Sequence, residues 1–394
     1  MTTTGDQHDE AVRLLLHLSR TTFSDDERLL AVEYSRSLTD WKFFTDLSVR
    51  HGVAALVWQN ITDLSLTDMV PAPERDIFEG LRLKTIARVT YITSATAEIV
   101  SMLENEGIRA LLLKGQALEH TVYGSRGLRQ MSDADLLVSR QDILRARDIL
   151  SRAGFVSGPL KSPLYRHIIL DLGNHLPELH RGGMTVDLHH GLFGVRGAAI
   201  VSSGMKKPGI ISAVGRDFYI LPPETAFLCL VNHICKHERK GEFQLRLYTD
   251  IYLLVNKYAH DVFNKNLASD AEQAGILSEV KTVLAILSFA YGLKIPDELS
   301  ATGDYAKEIA GIFMDNIRQP ALVKGRSRRD IYIENLRSLK DVRRKMIFIA
   351  GDLFPSTEFM KRRYGCRTTL SALSRYPHRM GKLVWIMKFI ILGR

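Results

Sequence analysis

Apolar positions in the first hundred residues recur at helical spacing. The stretches "DEAVRLLLHLSR", "DWKFFTDLSVRHGVAALVWQNI" and "ARVTYITSATAEIVSMLENEG" have Asp or Ser/Thr near several of their starts, and they predict amphipathic helices. Pro71 and Pro73 punctuate this block. After Gly107 the period changes. "IRALLLKG" is a compact apolar run closed by glycine, the pattern of a buried strand. A helical piece "QALEHTVY", a loop "GSRGLRQMS" and a second strand "DADLLVS" follow. "RQDILRARDILSRAG" then returns to helical spacing, with Gly154 placed as a C-cap. In "HLPELHRGGMTVDLHHGLF" two extended stretches flank Arg181-Gly182-Gly183, a hairpin signal. From "LPPETAFLCLVNHICKHERK" onward the pattern is mostly helical. The expected class is α+β: a small mixed sheet between N-terminal and C-terminal helical regions, divided as 1–95, 96–200 and 201–394.

The second strand opens on two carboxylates. Residues i and i+2 of a strand share a face, so Asp133 and Asp135 stand side by side, which is costly unless a cation compensates them. Oxygen ligands suit Mg2+ or Mn2+. Asp187, in "MTVDLHH", lies on another expected strand, where sheet pairing brings a third carboxylate to the same place. Three carboxylates suit two metals and in-line attack at phosphorus. Lys114-Gly115 ends the first strand where a helix begins, so backbone N–H groups and the positive helix end are expected to face a triphosphate. Arg126 and Arg129 offer planar donors to the same phosphates, and Ser132 is grouped with them. A lone Asp-x-Asp also occurs as a helix cap, a calcium-loop fragment or a sugar-nucleotide glycosyltransferase motif.

Charge changes the picture at one end of the chain. The net charge of +9 over 394 residues conceals a C-terminal stretch, 321–394, with 18 Lys plus Arg against 5 Asp plus Glu. Such a lobe suits RNA or an anionic membrane surface; the bland reading is a solvated helical face. Hydrophobic residues at 45% and no low-complexity run exclude a disordered chain. Three scattered cysteines and no apolar leader point to the cytoplasm.

The run "LLLKGQALEHTVYGSRGLRQMSDADLLV", followed by "VDLHH", resembles the bacterial uncharacterised nucleotidyltransferase family, a distant branch of the polymerase-beta-type superfamily found with natural-product and surface-polysaccharide genes. The resemblance implies that Lys114-Gly115 replaces the commoner Gly-Ser signature, and that Asp133, Asp135 and Asp187 hold the metals. It also implies transfer of a nucleoside monophosphate from an NTP such as ATP to a hydroxyl acceptor, with pyrophosphate release. The rivals are a metal-dependent glycosyltransferase, a toxin-like enzyme acting on transfer RNA, and a nucleotide-binding module without turnover.

Other residues carry weaker signals. Cys229, His233 and His237 share a helical face, a zinc geometry without a fourth ligand; the resemblance favours a structural or site-facing His233. His189 shares a strand face with Asp187; for it, as for His175 and His180, an ordinary hydrogen-bonded histidine is the simpler expectation. Asp250 follows Arg246 by four residues, an ion-pair spacing. The apolar tail "GKLVWIMKFIILGR" is too short to span a bilayer; it reads as a docked helix or as an interfacial anchor.

Overall fold

A computed structural model of the protein describes residues 4–194, 197–300, 303–319, 328–339, 341–379 and 381. The chain forms two compact units, Met1–Leu137 with Arg196–Gly325, and Val138–Val195 with Arg326–Arg394, and the division falls inside a strand.

The first unit begins with helices Thr4–Leu18, Asp25–Ser37, Trp41–Arg50 and Ala54–Asp63, and then a 33-residue helix, Ala72–Glu104. Local chemistry sets their starts. Ser24 and Glu27 form a reciprocal capping box, and the Asp40 carboxylate accepts the Phe43 N–H, contacts that typically contribute about 1 kcal/mol each. Pro71 is the N-cap of the long helix and Pro73 lies in its first turn, where a missing N–H costs nothing. Phe44, Phe78 and Trp58 pack together, with Trp58 and Phe78 stacked at 5.5 Å. The remaining helices of this unit include Pro223–Arg239, Leu245–Val262 and Asp304–Arg318. His51 ties them to the N-terminal block: its Nε2 donates to the Ile317 carbonyl at 2.8 Å and its Nδ1 accepts the Leu245 N–H at 3.2 Å.

In the second unit, Ile143, Ala146, Ile149 and Leu150 of helix Ile143–Arg152 are buried, at the spacing the sequence shows. Gly182 and Gly183 make the expected hairpin turn at φ +55° and +81°. A separate core gathers Tyr165, Ile168, Leu339 and Phe348, with Tyr165 stacked on Phe348 at 5.9 Å.

The strands are β1 (Ala110–Leu112), β2 (Ala134–Val138), β3 (Val156–Ser157), β4 (Leu179–Arg181), β5 (Met184–His189), β6 (Gly209–Ala213) and β7 (Arg216–Ile220), in a mixed sheet of order β3-β4-β5-β2-β1-β7-β6. The class is α+β, with helical regions flanking a small sheet. β1 pairs in parallel with β7, while β3–β4, β4–β5 and β6–β7 are antiparallel. The β6–β7 hairpin falls within 201–394, assigned to the C-terminal helical region, but before Leu221, where the helical pattern begins. Its turn, Val214-Gly215 at φ +46° and +76°, puts a β-branched residue where Gly or Asn is the usual signal.

Candidate functional site

β1 and β2 are fully buried strands, and the helix Lys114–Thr121 starts directly after the first of them. Lys114 makes that junction in a left-handed conformation, φ +47°, which costs a non-glycine residue of order 1 kcal/mol. Its side chain points at β2, where Nζ lies 2.5 Å from Asp135 Oδ1, and the two side chains are only 14% and 10% exposed. The Lys114–Asp135 pair is thus largely removed from water. Asp133, just before β2, is half-buried and accepts a hydrogen bond from Ser132 Oγ at 3.2 Å. Burial, and next the charge of Asp135, push the Asp133 carboxyl above its usual range, and Lys114 partly offsets them.

The loop between them is held by residues whose role the sequence does not show. The fully buried Glu119 carboxylate accepts backbone N–H groups from Gly127, Leu128 and Arg129 at 2.5, 3.2 and 2.9 Å. Burial raises its pKa, and those three donors pull it back. Arg129 does not project towards open space as expected of a triphosphate ligand. Its Nε and Nη2 donate to Asp250 at 3.2 and 2.6 Å, and its Nη1 donates to the Gln130 carbonyl. Tyr123 donates to the same Asp250 carboxylate at 2.8 Å. Asp250 therefore serves Arg129 and Tyr123, in place of the expected Arg246 partner. Gly115 leaves the space through which Arg129 passes, since a Cβ there would lie 2.5 Å from Nη1. Arg126 is surface-exposed and 3.4 Å from Asp63.

On β5, alternation buries Met184, Val186 and Leu188, and places Asp187 and His189 on the other face. The His189 ring lies 5.3 Å from that of His175, which makes an isolated antiparallel bridge with it. Asp135, Asp187 and His189 each offer one ligand atom, and these atoms all lie within 4.8 Å of one another. Two carboxylates and an imidazole are a donor set compatible with a divalent cation. Among the described residues no other group of three such side chains has this geometry, and Asp133 is outside it. His189 was visible in the sequence only as the i+2 neighbour of Asp187.

The Cys229, His233 and His237 face does not form a metal group among the described residues. Burial pushes the Cys229 thiol up to about 11, and burial next to Lys114 pushes His233 down to about 2, so both are neutral at physiological pH. His237 Nδ1 lies 2.6 Å from Glu242. Residues 382–394, most of the apolar tail, lie outside the described residues. No helix among the described residues is long and apolar enough to cross a membrane.

A mixed sheet carrying such an acidic group defines an α+β domain suited to metal-assisted chemistry. The chain belongs to the uncharacterised nucleotidyltransferase family, whose family model matches residues 37–290. No curated protein and no solved structure matches the chain in the comparisons made with them.

Proposed function

We propose that this protein transfers a nucleoside monophosphate from an NTP to a hydroxyl acceptor and releases pyrophosphate. The observation that carries the reading is the Asp135, Asp187 and His189 group, in a chain of the nucleotidyltransferase family. Asp135, Asp187 and His189 would hold one divalent cation, and Asp133 would help to hold a second. The imidazole shifts the preference from Mg2+ towards Mn2+, because nitrogen ligands suit the later first-row ions. When bound, the cations neutralise phosphate charge and make the acceptor hydroxyl more acidic.

Lys114 now neutralises Asp135. Were that carboxylate to ligate a cation, the Lys114 ammonium would be available to the triphosphate beside the helix start, with the Gly115 backbone, Ser132 and Arg126 as further donors. Arg129 acts through position: it fixes the loop that carries Asp133. Asp187 orients the acceptor and takes its proton as the acceptor oxygen bonds the α-phosphorus and the bond to pyrophosphate breaks. The basic C-terminal stretch draws in a polyanionic acceptor or surface, RNA or anionic lipid.

Incubation with each α-labelled NTP and a cell extract, with Mg2+ or Mn2+ and with chelator, tests the reading. Label should move to an acceptor with stoichiometric pyrophosphate. Release of a nucleoside diphosphate from a sugar nucleotide, with no pyrophosphate from any NTP, would replace it with glycosyl transfer.

A further inference from the structure

Beside Lys114 lies a cavity of about 200 Å³, walled by β6, the ends of β1 and β7, and one face each of helices Lys114–Thr121, Pro223–Arg239 and Leu245–Val262. Its lining is mostly aliphatic, with Tyr258 its one aromatic and Lys114 its one charged residue. The polar groups in the wall offer a ligand little. The Thr121 hydroxyl is spent on its own helix, donating to the Ala117 carbonyl at 2.7 Å. The Cys229 thiol is held neutral by burial. A nucleobase here would find little beyond the Lys114 ammonium and the Tyr258 hydroxyl to replace its hydrogen bonds to water. An alkyl chain would lose none.

Three features mark the cavity and its edge. Gly209 supplies a wall without a side chain, where a Cβ would crowd Ile220 at 3.1 Å. Tyr258, on the lining, has non-helical dihedrals (φ −124°, ψ 35°) inside its helix. Ile210, also on the lining, is 62% exposed, and Val214 at the hairpin turn is 53% exposed, so the adjoining edge is apolar.

We infer that this cavity binds the alkyl chain of the acceptor, an amphiphile whose hydroxyl reaches the Lys114–Asp135 end while its hydrocarbon lies between β6 and the helices. The assignment rests on the proposed transfer for the word acceptor, and on the lining alone for the alkyl chain. A dry cavity of about 150 Å³ accepts benzene, so this one holds roughly six to eight carbons.

Methyl NMR of the full chain tests this with glucose and its butyl, hexyl, octyl and decyl glycosides below their micellar concentrations. Shifts at Ile211, Ile220 and Leu254 report occupancy. Affinity should rise about fourfold per methylene, level off near eight carbons, and fall at least tenfold in Ala226→Phe. Ala117→Leu serves as the second filled variant should the first melt early. Affinity independent of chain length, or displacement of the octyl glycoside by adenosine, would overturn the assignment. The readout needs no turnover. A failed transfer assay therefore leaves the alkyl site standing, and a flat chain-length series leaves nucleotidyl transfer standing.

Discussion

Gly115 and Arg129 fit together as a space and its filler: a Cβ on residue 115 would sit 2.5 Å from Arg129 Nη1 and 3.2 Å from Cζ. Asp250 anchors the guanidinium from the other side, so the arginine has little freedom to yield. Gly115→Ala should destabilise the protein by about 1–3 kcal/mol, the usual cost of overpacking. Urea denaturation would show this, and an unchanged midpoint would mean that the loop relaxes freely.

The Arg129–Asp250 pair is itself a strong handle on stability. Both side chains are buried, at 7% and 0% exposure, and Tyr123 shares the carboxylate. Asp250→Ala should cost about 3–5 kcal/mol, because it strands a buried guanidinium. Double-mutant analysis with Arg129→Met should recover part of that loss; strict additivity would deny the coupling.

Metal binding should divide the carboxylates and the histidine from the lysine. Asp135→Asn, Asp187→Asn and His189→Ala should each weaken Mn2+ binding, seen by electron paramagnetic resonance, by tenfold or more. Asp187→Asn should abolish transfer while leaving NTP binding measurable. Lys114→Ala should lower NTP affinity as well as rate. Full Mn2+ affinity in either Asp variant would remove the metal assignment.

His51 predicts a pH dependence that does not involve the site. Burial lowers its pKa to about 4 from an ordinary 6.5, while both ring nitrogens are already paired in the neutral form. As pH falls below 6.5 the unfolded chain takes up the proton first. Stability is therefore full above that value and lost progressively down to about 4, by about 3 kcal/mol in all. Denaturant midpoints between pH 7.5 and 4.5 should fall less steeply in His51→Asn than in the native chain. Parallel curves would place the sensitivity elsewhere.

The basic C-terminal stretch should reveal its partner through salt. If it holds RNA or anionic lipid, affinity falls steeply between low and physiological ionic strength. Filter binding with transfer RNA and co-sedimentation with phosphatidylserine vesicles measure the two separately. Absence of both at low salt would leave a solvated face.

Short-range patterns in the sequence foretold the elements that depend on short-range physics. Periodicity showed the helices, alternation and Gly182-Gly183 showed the β4–β5 hairpin, and the i, i+2 rule put His189 on the face of Asp187. The β6–β7 hairpin escaped because its turn is Val-Gly and both strands are half-exposed. Arg129 and Asp250 lie 121 positions apart, and Arg129 looks like any loop arginine until the fold buries it. Glu119 hides similarly: a carboxylate on a short helix looks solvated until three N–H groups converge on it.

The Glu119 fastening has a consequence for how such sequences evolve. Glu119, Gly115, Arg129 and Asp250 are each accounted for by the architecture of one loop, whether or not any reaction takes place. A descendant that had lost its chemistry would still be under pressure to retain Gly115, Glu119, "GLR" and their distant aspartate, since losing them unfolds the loop. Substitution would instead accumulate first at Lys114, Asp135, Asp187 and His189. On the proposed function, those four positions, rather than the more conspicuous motif around them, would distinguish a working enzyme from a retired one.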